Sequence, residues 1–107
     1  MGNNQAIKVA EFQEFDPRRH VAKLLHDSDK SRVVLFCLEA GQELPAHEST
    51  SEVVFYGVDG NPTILLGNER VVLSTQSVVV CPPLVAHGIS AGAVRATVLA
   101  VIAPRPG

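Results

Sequence analysis

The chain has 107 residues, enough for one domain around one hydrophobic core and too few for two. Hydrophobic residues make up 46% of it and charged residues 19%, which excludes a disordered chain, and sixteen valines against no tryptophan favour β-strands. The net charge is -2 and Lys and Arg are scattered, so there is no basic stripe for nucleic acid or an anionic membrane.

At the N-terminus, MGNNQAIKV contains no apolar stretch of signal-peptide length, and no run of about 18 apolar residues follows. A soluble, cytoplasmic protein is expected. Met1-Gly2 opens like a myristoylation signal, but Ala6 stands where that signal needs Ser or Thr. Residues 7–15, IKVAEFQEF, alternate loosely and predict an edge strand, so residues 1–19 form an N-terminal arm. A strand from His20 to His26 follows, closed by the polar hairpin connection Asp27 to Ser31. Arg32 to Glu39 is apolar on both faces, the mark of a strand covered on two sides.

Gly41 to Ser51 has no periodic pattern and reads as a loop feeding the strand Glu52 to Val58. A turn at Val58-Asp59-Gly60-Asn61-Pro62 comes next, with Gly60 placed for positive φ. Thr63 to Leu66 and Glu69 to Leu73 flank Gly67-Asn68, a hairpin connection of two residues. Ser77 to Cys81 is a strand stopped by Pro82-Pro83, since proline cannot donate to a ladder. His87 to Ala91 and Val94 to Ala103 complete a barrel over residues 20–103, and 104–107 reads as a loose tail. Many short strands at turn-sized intervals, without a capped helical period, predict an all-β sandwich or barrel.

Two cysteines, Cys37 and Cys81, lie in apolar runs and read as buried reduced thiols. Two histidines, His47 and His87, each end a polar turn beside an apolar strand, which suggests imidazoles pointing into one cavity. His20 and His26 read as surface or turn residues, Glu48 as solvated and Tyr56 as packing.

These residues carry a family resemblance. The chain resembles a small single-domain cupin, the conserved antiparallel β-barrel of the jelly-roll type. Gly41, His47 and Gly60 fall in register with the first cupin motif, with Pro45 two before the histidine. Pro82 and His87 fit the second. Ser49 stands where the first motif has a second histidine, and Val53 where it has a glutamate. Gln76 and Leu84 replace the glycines of the second motif, and Ala91 its asparagine. The resemblance implies a divalent-metal site, and only His47 and His87 keep a ligand of that set. Any Zn, Ni, Mn or Fe there is expected to be weakly held, or absent.

Independently of the family, a first-row metal needs three or more converging donors, and the histidines supply two. Glu52 is the nearest carboxylate. Strand alternation turns it away from Val53 and Phe55 unless a bulge precedes it. The expected ligand-binding residues are His47, Ser49, Phe55, His87 and Ile89, with Val53 and Leu99 also lining a mostly apolar cavity. Hydrolase elbows, phosphate loops, paired Cys-x-x-Cys and dinucleotide fingerprints are all missing from the sequence. Three classes remain: a metal-assisted enzyme on a small molecule, a metal-free ligand-binding module, and a structural or regulatory dimer. The doubly apolar runs 33–38 and 98–102 predict that a second subunit covers the outer wall of a C₂ homodimer.

Overall fold

Residues 6–105 are described by a computed structural model; the Met1-Gly2 opening and the last two residues of the 104–107 tail lie outside them. The strands are β1 Val21–Asp27, β2 Arg32–Leu38, β3 Glu43–His47, β4 Glu52–Asp59, β5 Thr63–Leu66, β6 Glu69–Val72, β7 Val78–Cys81, β8 His87–Ser90 and β9 Ala96–Ala103. Every pairing is antiparallel. One sheet runs β1-β2-β9-β4-β7 and the other β3-β8-β5-β6. The all-β jelly-roll expectation holds, with the barrel wall made of two facing sheets.

The core lies between the sheets. Leu38, Val53, Phe55, Cys81, Val98 and Ala100 from the larger sheet meet Ile64 and Ile89 from the smaller one. Each large apolar side chain buried there contributes about 1.5–3 kcal/mol. The β5–β6 hairpin turns on Gly67 at φ 61°, with Leu66 paired to Glu69. Glycine at the first of two loop positions is what a type II′ turn asks for.

Two sequence expectations are corrected. Residues 7–15 do not form a strand; Val9–Phe12 is a 3₁₀ turn closed by Glu11 N–H donating to the Lys8 carbonyl at 3.0 Å. Val9, Phe12 and Phe15 recur every third residue, the period of a 3₁₀ turn and not of a strand. The arm then crosses one end of the larger sheet's outer face. Gln13 donates to the Thr97 hydroxyl at 3.1 Å, Lys23 pairs with Glu14, and the Arg95 guanidinium stacks 4.1 Å above the Phe15 ring.

The second correction is Gly41 to Ser51, which contains strand β3. Its pairing with β8 runs Leu44 to Ile89 and then His47 to His87, with the register shifting between them. Three residues separate the first pair of positions and two the second, so a bulge at Pro45-Ala46 breaks the alternation that would mark a strand. Pro45 is tolerated because β3 is an edge strand.

At the C-terminal end, the Ser51 hydroxyl donates to the Pro104 carbonyl at 2.6 Å, and Arg105 pairs with Asp27. Pro104 and Arg105 are therefore tied to the barrel. Outside, the larger sheet aligns two rows of side chains: Val33, Val101, Val54 and Val80, then Leu35, Leu99, Tyr56 and Val78. Beyond the second row Cys37 and Thr97 are fully buried at the end the arm crosses.

Candidate functional site

His87 opens β8 immediately after the turn at residues 82–86, and His47 closes β3. The two are direct cross-strand partners, with ring centroids 4.5 Å apart and planes tilted by 58°. Only the bulge makes this possible. Leu44 and His47 are an odd number of residues apart and would otherwise face opposite sides of the strand. With two residues absorbed opposite Gly88, both point inward.

The surroundings of the pair are apolar. A cavity of about 40 Å³ is lined by both histidines together with Phe36, Leu44, Val53, Phe55, Ala100 and Ile102. Phe55 meets the His87 ring edge-on at 5.8 Å. His87 is only 4% exposed, whereas His47 lies at the solvent-facing mouth. Burial depresses the His87 pKa below the usual imidazole value of 6.5; the Val85 carbonyl opposes this and the neighbouring His47 adds to it.

The tautomer follows from the partners. His87 Nδ1 lies 3.2 Å from the Val85 carbonyl oxygen, which can only accept, so Nδ1 carries the proton. His47 Nδ1 is 3.4 Å from the Pro45 carbonyl, a longer contact of the same kind. In each ring Nε2 is the nitrogen left with a free lone pair. Cys81 stands on the Nδ1 side of His87 at 3.5 Å, with its thiol 3.4 Å from the Val85 carbonyl. Burial raises its pKa, which keeps it a neutral thiol. Both cysteines are free and buried, as their apolar setting suggested.

The other expected site residues divide. Val53 and Phe55 line the cavity. Ile89 is fully buried in the core beside it and is not among the lining residues. Leu99 is corrected to the outer face, where it pairs with Leu35 and Tyr56, while its neighbours Ala100 and Ile102 face the cavity. β9 is apolar on both faces, so its parity could not be read from composition. The Ser49 hydroxyl accepts from the Ser51 N–H at 3.0 Å and shapes the turn; Ser49 is not part of the lining.

Glu52 is exposed and pairs with Ala103 in unbroken register with Val53 and Ile102, so no bulge turns it inward. Phe36, Leu44, Ala100 and Ile102 escaped the sequence reading. Leu44 had a signal, since an apolar residue three before a cavity histidine can share its face if a bulge intervenes. These donors do not fit a closed metal site: no group of three or more His, Cys, Asp or Glu side chains able to hold a metal occurs among the described residues.

A larger groove of about 480 Å³ lies by the arm, lined by Glu14, Asp16, Arg19, His20, Val21 and Ala22. It is the more open of the two, and its carboxylates are engaged: Glu14 by Lys23, and Asp16 by Arg18. The histidine cavity is smaller and less open, and is where converging polar atoms meet apolar walls. No helix among the described residues is long and apolar enough to cross a membrane.

No protein-family model matches the chain, and no curated protein matches it. Solved structures do. An RmlC-like cupin protein from Desulfovibrio desulfuricans is 28% identical, with a TM-score of 0.85, covering 96% of this chain and 99% of that one. The protein TT1209 from Thermus thermophilus is 24% identical, with a TM-score of 0.89 over 94% of this chain and 98% of that one. The DMSP lyase DddQ from Ruegeria pomeroyi is 18% identical, with a TM-score of 0.72, covering 79% of this chain and 47% of that one. Such likeness fixes the architecture; 340 solved chains match, too many for the architecture to name an activity.

Proposed function

We propose that this chain, a small single-domain protein of cupin fold, is a ligand-binding protein whose cavity grips a neutral small molecule, or the N–H- or O–H-bearing end of one, between His47 and His87. The observation that carries this reading is an apolar cavity whose polar lining consists of those two imidazoles, with Nδ1 of each against a backbone carbonyl. Two free Nε2 lone pairs accept hydrogen bonds and donate none. A ligand that donates satisfies them; a carboxylate or ketone meets lone pairs with lone pairs.

Size limits the ligand further. A volume of about 40 Å³ has room for about three water molecules and is far below the roughly 300–1,000 Å³ of a drug-sized pocket. Only a small head group fits between the walls, with anything longer emerging past His47. Binding takes precedence over catalysis because the cavity has no carboxylate to work with the histidines, and the buried thiol beside His87 is held neutral. The lyase likeness is a likeness of fold and brings no reaction with it.

The test is an NMR titration of the histidine ring nitrogens at pH 8 with formamide, and separately with acetate. Formamide is expected to shift Nε2 of His87 and His47 in a saturable way, and acetate to leave them unmoved. Equal responses to the two, or none to formamide, would overturn the reading.

A further inference from the structure

We infer that the open inner face of β1 and β2 receives the tail of the bound ligand. That makes the ligand amphipathic, with an N–H- or O–H-bearing head on an unbranched aliphatic chain. The inference rests on the histidine cavity being a ligand site, as proposed above. Leu24, Val34, Ala100 and Phe55 are successive cross-strand partners from β1 to β4, so they form one row on the inner face. Their exposure climbs along it, from 1% at Phe55 and Ala100 to 9% at Val34 and 56% at Leu24. Phe55 and Ala100 are walls of the cavity. The row therefore leads out of the cavity into solvent and stays apolar all the way.

Topology explains the gradient. β3, which carries Leu44 and His47, is an edge of the smaller sheet. Those two side chains share the cavity with Phe36, so β3 lies across from β2. β1 continues the larger sheet past that edge, and Leu24 is left open. A second row, Ala22 beside Phe36, runs parallel to the first, and the His20 ring stands 6.5 Å from the Phe36 ring. An exposed strand face ordinarily takes the polar residues. β1 does the reverse: Ala22 and Leu24 are exposed, while Lys23 lies on the half-buried outer side with Leu35.

Size and charge select the occupant. Two strands about 4.8 Å apart and two rows about 7 Å apart make a shelf of roughly 130 Å². A protein partner needs roughly 800 Å². Ala22, Leu24, Val34 and Phe36 carry no charge, so the shelf offers nothing to an ionic tail. From Ala100 to Leu24 is two strand spacings, about 10 Å, the reach of a chain of about eight carbons. Other exposed apolar residues, such as Val72 on β6 and Val94 in the β8–β9 turn, do not adjoin the histidine cavity.

The test extends the titration of the histidine ring nitrogens at pH 8 to butanamide, octanamide and octanoate. Octanamide should bind at least about ten-fold more tightly than butanamide, since four methylenes half-buried on the shelf are worth about two-fold each. Octanoate has the same tail without the N–H and should bind at least about ten-fold more weakly than octanamide. Leu24→Glu should lose the advantage of octanamide over butanamide yet bind formamide as the wild type does, which also shows its site intact. Val72→Glu, on the other sheet, should change neither. If octanamide binds no more tightly than butanamide while formamide still binds, the tail is overturned and the head-group reading stands. The inference also fails if Leu24→Glu keeps the full advantage, if Val72→Glu reduces it equally, or if octanoate matches octanamide. No response to formamide would bring down both readings.

Discussion

Gly88 and Leu44 approach so closely across the β8–β3 pair that a Cβ on Gly88 would stand 2.5 Å from the Leu44 carbonyl oxygen and 2.9 Å from the Ala46 nitrogen. The bulge that turns His47 inward is therefore possible only opposite a residue with no side chain. The obstructing atoms are backbone, which cannot swing aside as a flexible side chain would.

Gly88→Ala should consequently push β3 off β8. Overpacking of this kind costs about 1–3 kcal/mol, and a domain of this size loses roughly 4–8 °C of melting temperature for each kcal/mol. β3 is an edge strand, so the strain is expected to be relieved by its partial release, separating His47 from His87. Thermal melting together with ring-to-ring NOEs between the two histidines checks this. An unchanged Tm with the NOEs intact would refute the role given to Gly88.

Acid should weaken the fold through His87. Its folded pKa is lowered by burial, so between that value and the unfolded value of about 6.5 the unfolded chain holds more protons. Stability is therefore fully present above about pH 6.5 and is lost as pH falls through the folded pKa. Asp27 also has a lowered pKa, caused first by its hydrogen bond to Arg105, but its loss belongs below the ordinary carboxylate value of 3.8. Urea unfolding from pH 8 to 5 should show the decline in the wild type and a flatter profile in His87→Gln. Identical slopes in the two proteins would assign the acid sensitivity elsewhere.

Most of the barrel was legible because its strands are β-branched runs set between Gly, Pro, Asp and Asn turns. From His20 to Ala103 the turns at residues 27–31, Gly60 and Gly67 all fall where local chemistry places them. The two histidines were legible because each sits at a strand end. What escaped depends on relationships between strands. The bulge that makes β3 a strand is visible only in its pairing with β8. The inward parity of Ala100 and Ile102 is fixed by register with β2 and β4, not by β9 itself. Glu52 was expected to reach the cavity only through a bulge, and the unbroken β4–β9 register keeps it on the outer face.

Two departures from the cupin pattern become structural statements. Gln76 and Leu84, which stand where that pattern has glycine, are the positive-φ non-glycine residues of the described chain, at 65° and 69°. Hydrogen bonds at 2.8 Å hold each there: Gln76 N–H donates to the Gly57 carbonyl and Leu84 N–H to the Ser49 carbonyl. A side chain in the left-handed region costs about 1–2 kcal/mol, against about 0.5–1 kcal/mol of extra chain entropy for glycine. Leu84 is 66% exposed, so trimming it loses little packing. Leu84→Gly is expected to gain up to about 1 kcal/mol, while Leu84→Ala, still strained, gains nothing. Calorimetric melting that ranks alanine level with or above glycine would contradict this.

The donor set predicts how the site treats metals. Two imidazoles without a third protein donor should bind Zn²⁺ or Ni²⁺ weakly in untagged, chelator-treated protein, and more weakly in acid, because a histidine ligand must be neutral. Ser49→His should change this little, because Ser49 shapes a turn and does not line the cavity. Val53 differs: it is buried, lines the cavity with both histidines, and stands where cupins carry a glutamate. Val53→Glu places an unpaired carboxylate in an apolar wall, so the metal-free variant should be less stable than the wild type by about 1–3 kcal/mol. Zn²⁺ would then have three converging donors and should restore much of the lost melting temperature in Val53→Glu, with little effect on the wild type or on Ser49→His. If Zn²⁺ leaves Val53→Glu unmoved, residue 53 does not converge with the histidines. If it raises Ser49→His instead, the third ligand position belongs to the turn and not to β4.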